Sequence, residues 1–529
     1  MSKSVLLLGD EAYAQGAIDA GVSGCYAYPG TPSTEIMEYF QSSRTAAERN
    51  LHREWSANEK AAMEEAIGMS FMGHRAIVCM KHVGLNACAD GFMNSAITGA
   101  NGGLLVTVAD DPSMHSSQNE QDSRFYANFA MIPALEPSSQ QEAYEMPAYG
   151  FALSEKLGTP VLVRLVTRLS HSRADAKIAD EAAAENATKL PGDPKKYILL
   201  PANAIRNYAA LCDKQADFLK ASEESPYNCY FDGEDKSFGI IATGLAYNYV
   251  REAFGGKCSH PLLKISQYPM PVAKIRRMMD ECKEIIVVEE GMPFVEGALK
   301  GPLGNGRIHG RLDGTLPRCG ELNTRLVKIA CRVPVQELPA ASESVKPRPP
   351  RLCDGCPHVD TYKALNAAIA DLGDDAKVFG DIGCYTLGAL PPYNAISSTV
   401  DMGASVTLAK GAADAGLKYP VAVIGDSTFT HSGMTGLLDV IWEKAPVTLL
   451  ILDNLTTGMT GGQSSIGGGR VEDICKGLGV APEHIRIITP LPNQHEANVK
   501  TIREELEFRG PSVVVARREC IQTLRRKRA

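Results

Sequence analysis

With 529 residues, the chain exceeds what one hydrophobic core accommodates, so several domains are expected. The composition, 44% hydrophobic and 22% charged residues, is that of an ordinary globular protein, and the net charge of −8 argues against a nucleic-acid or anionic-membrane surface. No apolar run approaches the ~20 residues of a membrane span, and the run at 5–8 is too short for a signal peptide, so we expect a cytoplasmic protein.

The first 175 residues predict strands that alternate with helices. Helices are predicted at 10–21, after the N-cap Ser33, and from Glu59 onward. Strands are predicted for apolar runs at 4–9, 25–28, 76–81, 104–109 and 160–167. Such alternation is typical of a mainly parallel sheet with helices on both faces, so we assign residues 1–175 to one α/β domain.

Three further segments follow. Residues 176–235 are polar and helix-prone and predict a linker, and residues 236–340 predict a second α/β unit with strands at 238–242 and 284–288. The proline run that contains Pro347, Pro349 and Pro350 predicts a stiff boundary. Beyond it, residues 350–529 form a third predicted α/β domain, with strands at 377–380, 421–424, 447–452 and 512–516.

The stretch 420–463 has the most informative pattern in the third domain. Its first predicted strand ends at Gly425 and Asp426, and its second ends just before Asn454. Parallel strands bring their carboxyl ends to one sheet edge, where open α/β sheets bind ligands. Asp426 and Asn454 offer the oxygens that Mg²⁺ prefers, with the Thr456 carbonyl as a third, while Gly425 permits a phosphate to approach. The alternative is a doubly wound unit whose strand ends are polar for no functional reason.

This stretch resembles the diphosphate-binding signature of thiamine diphosphate enzymes, although Ser427 replaces its usual third glycine. Such enzymes need a carboxylate beside the aminopyrimidine ring, supplied by a different domain. Glu59 in SANEKAAMEEAIGMS is the candidate, but Glu64 and Glu65 follow it, and the sequence alone does not choose among them. The simpler interpretation of Glu59 is an acid favoured in a first helical turn by the helix dipole.

Two polar loops in the first domain are candidate substrate contacts. In YPGTPS, the Thr31 hydroxyl and nearby amides could hold a substrate carboxylate, or the segment could be only a turn stiffened by prolines. The loop 110–124 follows a buried strand; there Arg124 could pair with the carboxylate of a 2-oxo acid, and His115 could transfer protons or pack. A solvated loop remains the alternative for both residues.

Four of the 14 cysteines have a suggestive arrangement. Cys353 and Cys356 form a CxxC pair at the start of the third domain, and Cys384 and Cys520 each follow a predicted strand. Four such thiolates could hold one [4Fe–4S] cluster, and a tetrahedral zinc site uses the same ligands. Scattered buried thiols are the third possibility.

Taken together, these motifs resemble the alpha subunits of indolepyruvate:ferredoxin oxidoreductases, within the thiamine-dependent 2-oxoacid:ferredoxin oxidoreductases. The matching stretches span the first and third domains: YPGTPSTE, NEKAAMEEAIGMS, MKHVGLN, ADDPSMHSSQNEQDSR, CDGCPH, GDIGCYTLG, GDSTFTHSG and DNLTTGMTGGQ. The resemblance implies a pyrimidine-binding domain at 1–175 and a diphosphate-binding domain at 350–529. Between them it implies a smaller α/β domain, like the C-terminal domain of transketolase.

The resemblance also implies roles for individual residues. Glu59 becomes the activating carboxylate, and Thr31 and Arg124 lie near the substrate carboxylate. The implied Mg²⁺ ligands and further cofactor contacts are Asp426, Asn454 and Thr456, then Gly425, Ser427 and Met459. The implied ligands of a [4Fe–4S] cluster are Cys353, Cys356, Cys384 and Cys520.

The implied activity is oxidative decarboxylation of an aryl 2-oxo acid to an acyl-CoA, with coenzyme A as co-substrate. A gamma-type small subunit and ferredoxin or another electron carrier are the implied partners. The ferredoxin-like module with CxxCxxCxxxC runs that usually continues such subunits is absent from this sequence, so electrons are expected to leave from the single cluster. A non-oxidative thiamine-dependent decarboxylase or carboligase, and a non-catalytic scaffold subunit, are the alternatives.

Overall fold

A computed structural model describes residues 3–337, 339–340, 342–346 and 348–528. Its contacts divide the chain into two compact units, Met1–Pro339 and Ala340–Ala529. The division falls within a segment whose described residues form no helix or strand and include Pro349 and Pro350 of the predicted boundary, whereas Pro347 lies outside the described residues. The finer boundaries at residues 175 and 235 stay predictions.

The first unit contains 14 strands and 15 α-helices among its described residues. The strands are β1 (Lys3–Leu8), β2 (Gly24–Ala27), β3 (His52–Trp55), β4 (Ala76–Lys81), β5 (Leu104–Asp110), β6 (Ala134–Leu135), β7 (Val161–Val166), β8 (Arg173–Ile178), β9 (Tyr230–Phe231), β10 (Gly239–Thr243), β11 (Leu262–Ile265), β12 (Gln267–Tyr268), β13 (Ile285–Val288) and β14 (Ile308–His309). The helices are α1 (Gly9–Asp19), α2 (Thr34–Ser42), α3 (Arg44–Glu48), α4 (Glu59–Phe71), α5 (His82–Ala87), α6 (Ala89–Thr98), α7 (Ser123–Ala130), α8 (Gln140–Leu157), α9 (Thr167–His171), α10 (Pro201–Asp213), α11 (Gln215–Glu223), α12 (Ala246–Ala253), α13 (Val272–Glu281), α14 (Phe294–Lys300) and α15 (Thr324–Ala330).

The main sheet of this unit has seven strands in the order β12-β6-β7-β5-β4-β2-β3, and every pair is parallel except β12 with β6. This confirms the predicted mainly parallel sheet. Strand β1, predicted at 4–9, is not part of it, because β1 pairs only with β8 in an antiparallel ribbon. The physical reason is burial: central parallel strands are covered on both faces, whereas β1 leaves Leu6 58% exposed.

A second sheet in the same unit has the order β14-β13-β10-β11-β9 and corresponds to the predicted second α/β unit. Strand β12 comes from this part of the chain but pairs with β6 of the main sheet. The predicted linker 176–235 carries α10 and α11, and Phe218 of α11 is completely buried. The segment therefore packs into the unit instead of only crossing its surface.

The second unit is a single doubly wound domain. Its elements are α16 (Pro357–Ile369), β15 (Ala376–Gly380), α17 (Ala404–Asp414), β16 (Tyr419–Gly425), α18 (Asp426–Thr428), α19 (Met434–Trp442), β17 (Thr448–Asp453), β18 (Thr456–Thr457), β19 (Gln463–Ser464), α20 (Val471–Leu478), β20 (Ile485–Ile488), α21 (His495–Glu507), β21 (Ser512–Arg517) and α22 (Ile521–Arg528). A π-helical turn, Phe429–Gly433, joins α18 to α19.

The five main strands of this unit, in the order β15-β16-β17-β21-β20, are all parallel. Along β16, Val421 and Val423 belong to one buried apolar cluster and Ala422 and Ile424 to another, so both faces of the sheet are covered. Helices therefore bury both faces, and the polar side chains that follow the strands collect at one edge. Among the helices that the described residues form, none has the length and apolarity of a membrane span.

Candidate functional site

Two neighbouring strands of the second unit end in the polar side chains that the sequence singled out. Strands β16 and β17 are paired in register, with Gly425 opposite Leu452, so Asp426 and Asn454 emerge at the same edge. The Ser427 hydroxyl lies 2.8 Å from the Thr457 hydroxyl and joins the two strand-end loops. The structure thus brings together the residues predicted to hold Mg²⁺ and a diphosphate.

Asp426 is buried, with 1% of its surface exposed, and its Oδ2 has no hydrogen-bond partner. Burial raises the pKa of Asp426 to about 7, and the nearby Asp453 adds to this effect. A Cβ atom on Gly468 would lie 3.4 Å from Oδ2, so this loop approaches the carboxylate closely. A buried oxygen without a partner is costly unless a ligand satisfies it, which fits a metal cation at this position.

Asn454 and Thr456 present oxygens on the same loop. The Thr456 amide donates to Asn454 Oδ1 at 3.2 Å, and the Thr456 hydroxyl donates to the Gln463 carbonyl at 2.9 Å. The Thr456 hydroxyl is thus engaged within the loop, which leaves its carbonyl as the predicted ligand. The predicted set of hard oxygen donors therefore consists of the Asp426 carboxylate, the Asn454 side-chain oxygen and this carbonyl.

Two other predicted cofactor contacts occupy different surroundings. A side chain at position 425 would clash, because a Cβ atom on Gly425 would lie 2.7 Å from Cε1 of the Tyr385 ring. The approach of this ring is a reason for the glycine that the sequence did not reveal. Met459 lies on the loop after Asn454, with 46% of its surface exposed.

The four cysteines assemble beside this edge. Cys353 and Cys356 precede α16, Cys384 opens the 3₁₀ turn Cys384–Ala389 after β15, and Cys520 precedes α22. The pKa of Cys384 is raised to about 12, mainly by burial and also by the negative charge that the other three cysteines carry as thiolates. The Cys520 amide donates to the Asn454 carbonyl at 3.1 Å, so the cysteine cluster adjoins the predicted diphosphate edge.

His358 lies between these two groups. It is 2% exposed, and its Nε2 is 3.4 Å from Asn454 Nδ2. Burial lowers the pKa of His358 to about 4, so the ring is neutral at pH 7. A neutral imidazole in this position can accept a hydrogen bond from the Asn454 amide and orient its oxygen.

In the first unit, Glu59 is the first residue of α4, after the N-cap Asn58, and only 5% of its surface is exposed. A Cβ atom on Gly84 would lie 2.6 Å from Glu59 Oε1. The glycine of MKHVGLN therefore provides the space that the Glu59 carboxylate needs. Glu64 and Glu65 are both exposed; Glu64 pairs with Lys60, and Glu65 accepts a hydrogen bond from Ser56 at 2.6 Å. The structure therefore distinguishes Glu59 as the buried acid among the three.

Thr31 lies half-buried in the turn before α2. Ser33 occupies the predicted N-cap position of this helix, but its hydroxyl does not bond the helix and instead donates to the Gly30 carbonyl at 2.7 Å. A Cβ atom on Gly30 would lie 3.1 Å from Lys81 Cβ, so the turn packs on the end of β4. The turn is fixed by these contacts and presents Thr31 at the sheet edge.

Lys81 is a functional candidate that the sequence analysis missed. It is 8% exposed, and its ammonium group donates to the Ser116 carbonyl of the loop 110–124. Burial lowers the pKa of Lys81 to about 8, with Asp111 opposing the shift. A lysine as the last residue of the otherwise apolar strand 76–81 is the signal that could have identified it.

Arg124 is completely buried, and all three of its guanidinium nitrogens donate hydrogen bonds. It donates to Asp122 at 2.9 and 2.5 Å, and Glu289 lies 3.0 Å away. Its remaining acceptors are the hydroxyls of Thr243 and Tyr268 and the carbonyls of Glu290 and Met292. A substrate carboxylate could reach Arg124 only if this network opened.

A second arginine extends the same network. Arg164 donates to Asp110 at 2.6 Å and to Glu136 at 2.5 Å, and Asp122 lies 3.4 Å from it. Burial raises the pKa of Asp110, and the Arg164 charge opposes that shift. We refer to Arg124, Arg164 and their carboxylate partners as the arginine network.

The loop after β5 is ordered by Asp111, which accepts from the Ser116 amide at 2.8 Å and from the hydroxyls of Ser117 at 2.6 Å and Thr167 at 2.7 Å. These contacts hold the pKa of Asp111 below its usual range, although burial alone would raise it. His115 projects outward, with 52% of its side chain exposed, and lies 3.4 Å from Glu321. The loop is anchored at its base and carries His115 at its surface.

Comparisons with known proteins bear on both units. The family described as "Pyruvate flavodoxin/ferredoxin oxidoreductase, thiamine diP-bdg" matches residues 15–217. The family described as "Thiamine pyrophosphate enzyme, C-terminal TPP binding domain" matches residues 381–515. An indolepyruvate oxidoreductase subunit IorA from Archaeoglobus fulgidus is 38% identical over 546 aligned residues, which cover 98% of this chain and 86% of that protein.

The chain belongs to the thiamine-dependent 2-oxoacid:ferredoxin oxidoreductase family. The IorA subunit from Methanothermobacter thermautotrophicus is 37% identical with the same 98% coverage of this chain. A 2-oxoglutarate synthase subunit KorA from Methanothermobacter marburgensis is 26% identical over 208 residues, 37% of this chain. The resemblance seen in the motifs is thereby confirmed.

A solved member of the family shares the fold. The 2-oxoglutarate:ferredoxin oxidoreductase from Magnetococcus marinus, with 2-oxoglutarate, coenzyme A and succinyl-CoA bound, matches with a TM-score of 0.50 and 18% identity. The match covers 63% of this chain and 65% of that one. Together with the two thiamine-binding family matches, it confirms the predicted α/β class with thiamine-binding domains, and the chain is an enzyme of the 2-oxoacid:ferredoxin oxidoreductase class.

Proposed function

We propose that this chain catalyses the oxidative decarboxylation of an aryl 2-oxo acid, of the indolepyruvate type, to an acyl-CoA. The names of the relatives that are 37–38% identical over 98% of the chain support the aryl substrate. The observation that carries the reaction type is local: the orphaned carboxylate oxygen of Asp426 lies at a sheet edge that adjoins four cysteines. A redox group beside a thiamine site is what separates oxidative from non-oxidative decarboxylation.

Asp426, Asn454 and the Thr456 carbonyl are the proposed Mg²⁺ ligands, with Gly425, Ser427 and Met459 beside the diphosphate. The buried oxygen of Asp426 that lacks a partner fits this assignment, since a cation would satisfy it. Thiamine diphosphate, when bound, supplies the electron sink that decarboxylation requires. The proposed ligands lie at the ends of rigid strands, which fixes their orientation. They are also buried, so the local dielectric constant is low.

Glu59 is proposed to hold a proton at its carboxylate, against a ring nitrogen of the aminopyrimidine. Its burial and the space beside Gly84 favour a fixed carboxylate. We expect Glu59→Gln to lower turnover by about 10²-fold or more while cofactor affinity changes little. Glu64→Gln is the matched control, since that acid is exposed on the same helix. Equal turnover in the two variants would refute the role.

Thr31 is proposed to bind the substrate carboxylate through its hydroxyl. Lys81 packs against the same turn and offers a buried positive charge, so we propose it as the ionic partner of that carboxylate. The earlier assignment of Arg124 to this role is less favoured, because its donors already serve the arginine network.

Cys353, Cys356, Cys384 and Cys520 are proposed to bind a [4Fe–4S] cluster, which supplies one-electron transfer. Their order along the chain supports this cluster: a CxxC pair, a third cysteine after the next strand and a fourth near the end of the domain. Tetrahedral Zn²⁺ on the same four thiolates is the alternative, and a measurement of bound iron separates the two.

We further propose coenzyme A as the acyl acceptor, a gamma-type small subunit as partner, and ferredoxin or another carrier as the electron acceptor. The relatives are named as subunits of indolepyruvate oxidoreductases, which supports a partner subunit. A non-oxidative decarboxylase or carboligase is the second candidate. It would be favoured if the cysteines bound no iron.

The deciding experiment measures iron and acid-labile sulfide on anaerobically purified protein, together with indolepyruvate- and coenzyme A-dependent dye reduction. We expect about four of each per chain, and loss of both cluster and dye reduction in Cys520→Ala. Cys475→Ala, which removes a buried thiol from the same unit, is the control and should keep both. Bound thiamine without iron would reject the oxidative reaction.

A further inference from the structure

A second group of polar side chains lies in the first unit, and the proposed reaction does not use it. It comprises Asp10 at the start of α1, Glu35 in the first turn of α2, and His171 at the end of α9. One carboxylate oxygen from each acid and a ring nitrogen of the histidine lie within 4.8 Å of one another. We call these three side chains the Asp10 cluster.

Packing of the backbone creates the cluster. A Cβ atom on Gly9 would lie 2.2 Å from the Leu169 carbonyl oxygen, so the start of α1 touches the backbone of α9. Any other residue at position 9 would push the two helices apart. The glycine therefore fixes the distance between Asp10 and His171, which neither helix sets by itself.

The hydrogen bonding of Asp10 is incomplete. Its surface is 0% exposed, and neither Oδ1 nor Oδ2 has a hydrogen-bond partner. Glu35 Oε2 also has no hydrogen-bond partner, although His171 Nε2 lies 3.4 Å from it. Buried carboxylate oxygens are normally hydrogen-bonded, paired or bound to a cation, so the two unpartnered oxygens of Asp10, beside the Glu35–His171 pair, point to a cation-binding position.

The spacing matches a particular class of ion. Zinc binds imidazole nitrogen and carboxylate oxygen at about 2.1 Å, which separates the ligands of a tetrahedral site by about 3.4 Å. This is the distance found between His171 Nε2 and Glu35 Oε2, 3.4 Å. A histidine in the set favours a first-row transition metal over Mg²⁺ or Ca²⁺, which prefer oxygen ligands alone.

The cluster also has an entrance. The side chains of His171 and Glu35 are 34% and 33% exposed, whereas Asp10 lies behind them. An ion can therefore enter from solvent, and a water molecule can complete the coordination on the open side. We propose that Asp10, Glu35 and His171 form a binding site for a divalent transition-metal cation, with Zn²⁺ the best chemical match.

The site would have a structural effect on its surroundings. It ties together the ends of α1, α2 and α9, and Glu35 is only four residues after Thr31. A bound cation would hold the start of α2 and so support the turn that carries Thr31. This proposal does not depend on the proposed reaction, since its readout is metal binding.

The test is a Zn²⁺ titration by calorimetry on the full chain, purified anaerobically, with thiamine diphosphate and Mg²⁺ in excess. The wild type is compared with Asp10→Asn, His171→Gln and the control Glu38→Gln, which removes an exposed acid from α2. The amount of zinc that binds to cysteines should be the same in all four proteins, so it does not affect their comparison. We expect the wild type and Glu38→Gln to bind one more equivalent, and both ligand variants to bind it at least about tenfold more weakly.

Thermal unfolding adds an independent readout. Without zinc, Asp10→Asn should be at least as stable as the wild type, because a neutral amide replaces a buried carboxyl group. With zinc, only the wild type and Glu38→Gln should gain stability. His171→Gln alters a partly exposed side chain and keeps the test usable if Asp10→Asn folds poorly. Equal zinc binding in all four proteins would overturn the proposal and identify the cluster as a proton-sharing contact.

Discussion

Two groups of buried charges in this enzyme differ in how their polar atoms are satisfied. In the arginine network, Arg124 donates to Asp122 at 2.5 Å and Arg164 donates to Asp110 at 2.6 Å, so the guanidinium groups are occupied. At the edge of the second sheet, Asp426 is equally buried, but its Oδ2 has no hydrogen-bond partner. The guanidinium nitrogens of the first group are satisfied within the chain, although Asp110 Oδ1 has no hydrogen-bond partner, whereas the carboxylate of the second group has no cationic side chain among the described residues bonded to it and leaves Oδ2 for a predicted ligand.

The comparison separates structural from ligand-binding charges that look alike in the sequence. Arg124 and Asp426 are both candidate site residues in the sequence, and both are at most 1% exposed. What distinguishes them is the partners that other parts of the chain supply.

Replacing one arginine of the arginine network by a neutral residue should cause the largest loss of stability. Arg124→Met keeps the side-chain volume but leaves buried carboxylates without their partner, and we expect destabilisation of about 3–5 kcal/mol. Urea unfolding followed by circular dichroism would measure it. The control Arg44→Met removes an arginine whose side chain is 90% exposed and should leave the unfolding midpoint unchanged.

The opposite outcome is informative for the same residue. If Arg124→Lys left stability unchanged and only raised KM for the 2-oxo acid, then Arg124 would bind substrate, as the sequence suggested. The network would then have to open during turnover. That result would erase the distinction between the two groups of charges.

Removing Asp426 should instead affect the cofactor. We expect Asp426→Ala to weaken thiamine diphosphate binding in the presence of Mg²⁺ by at least about 100-fold, measured by calorimetry. The cofactor-free variant should be no less stable than the wild type, because the pKa of Asp426 shows that burial of its charge is unfavourable. Asp439→Ala, an exposed acid in the same unit, is the control. Unchanged cofactor affinity would remove Asp426 from the proposed Mg²⁺ ligands.

Lys81 is intermediate between the two groups, since it is buried and its ammonium group donates to the Ser116 carbonyl. Its pKa of about 8 in the folded chain lies below the unfolded value of about 10.4. Between these pH values the unfolded chain binds more protons, so stability should rise with pH. The slope contributed by this group is at most about 1.4 kcal/mol per pH unit.

Lys81→Met should remove that slope, as measured by urea unfolding from pH 8 to 10, whereas Lys60→Met on the surface should not. If Lys81 also binds the substrate carboxylate, KM of the wild type should rise as pH increases through about 8, because the ammonium group loses its charge. A pH-independent KM together with the expected stability slope would confine Lys81 to a structural role.

The sequence predicted local features of this molecule well. The bounds 76–81 coincide with β4, and β16 and β17 end where Asp426 and Asn454 were expected, because continuous apolar runs closed by polar residues are strong strand signals. The four cysteines also assemble as their positions after strands suggested. These predictions required only the positions at which the strands of one parallel sheet end.

The features that the sequence did not predict depend on distant partners. Strand β1 resembles a central strand in sequence but pairs with β8, which lies about 170 residues later. The network around Arg124 includes Tyr268 and Glu289 from another part of the unit. Lys81 and the Asp10 cluster were missed because the burial of a charged side chain depends on packing and not on residue type.

The smallest effect is expected at Ser427, where this chain departs from the usual glycine of the family motif. The Ser427 hydroxyl bonds the Thr457 hydroxyl at 2.8 Å and links the loops that carry Asp426 and Asn454. Ser427→Gly should weaken thiamine diphosphate binding by less than about tenfold, since a hydrogen bond between neutral groups contributes about 1 kcal/mol. Thr457→Val should have a similar effect, and the double variant should lose little more than either single one, a coupling that calorimetry of all four proteins would measure. Additive losses would show that the two hydroxyls act separately, and that the serine does not compensate for the missing glycine by joining the loops.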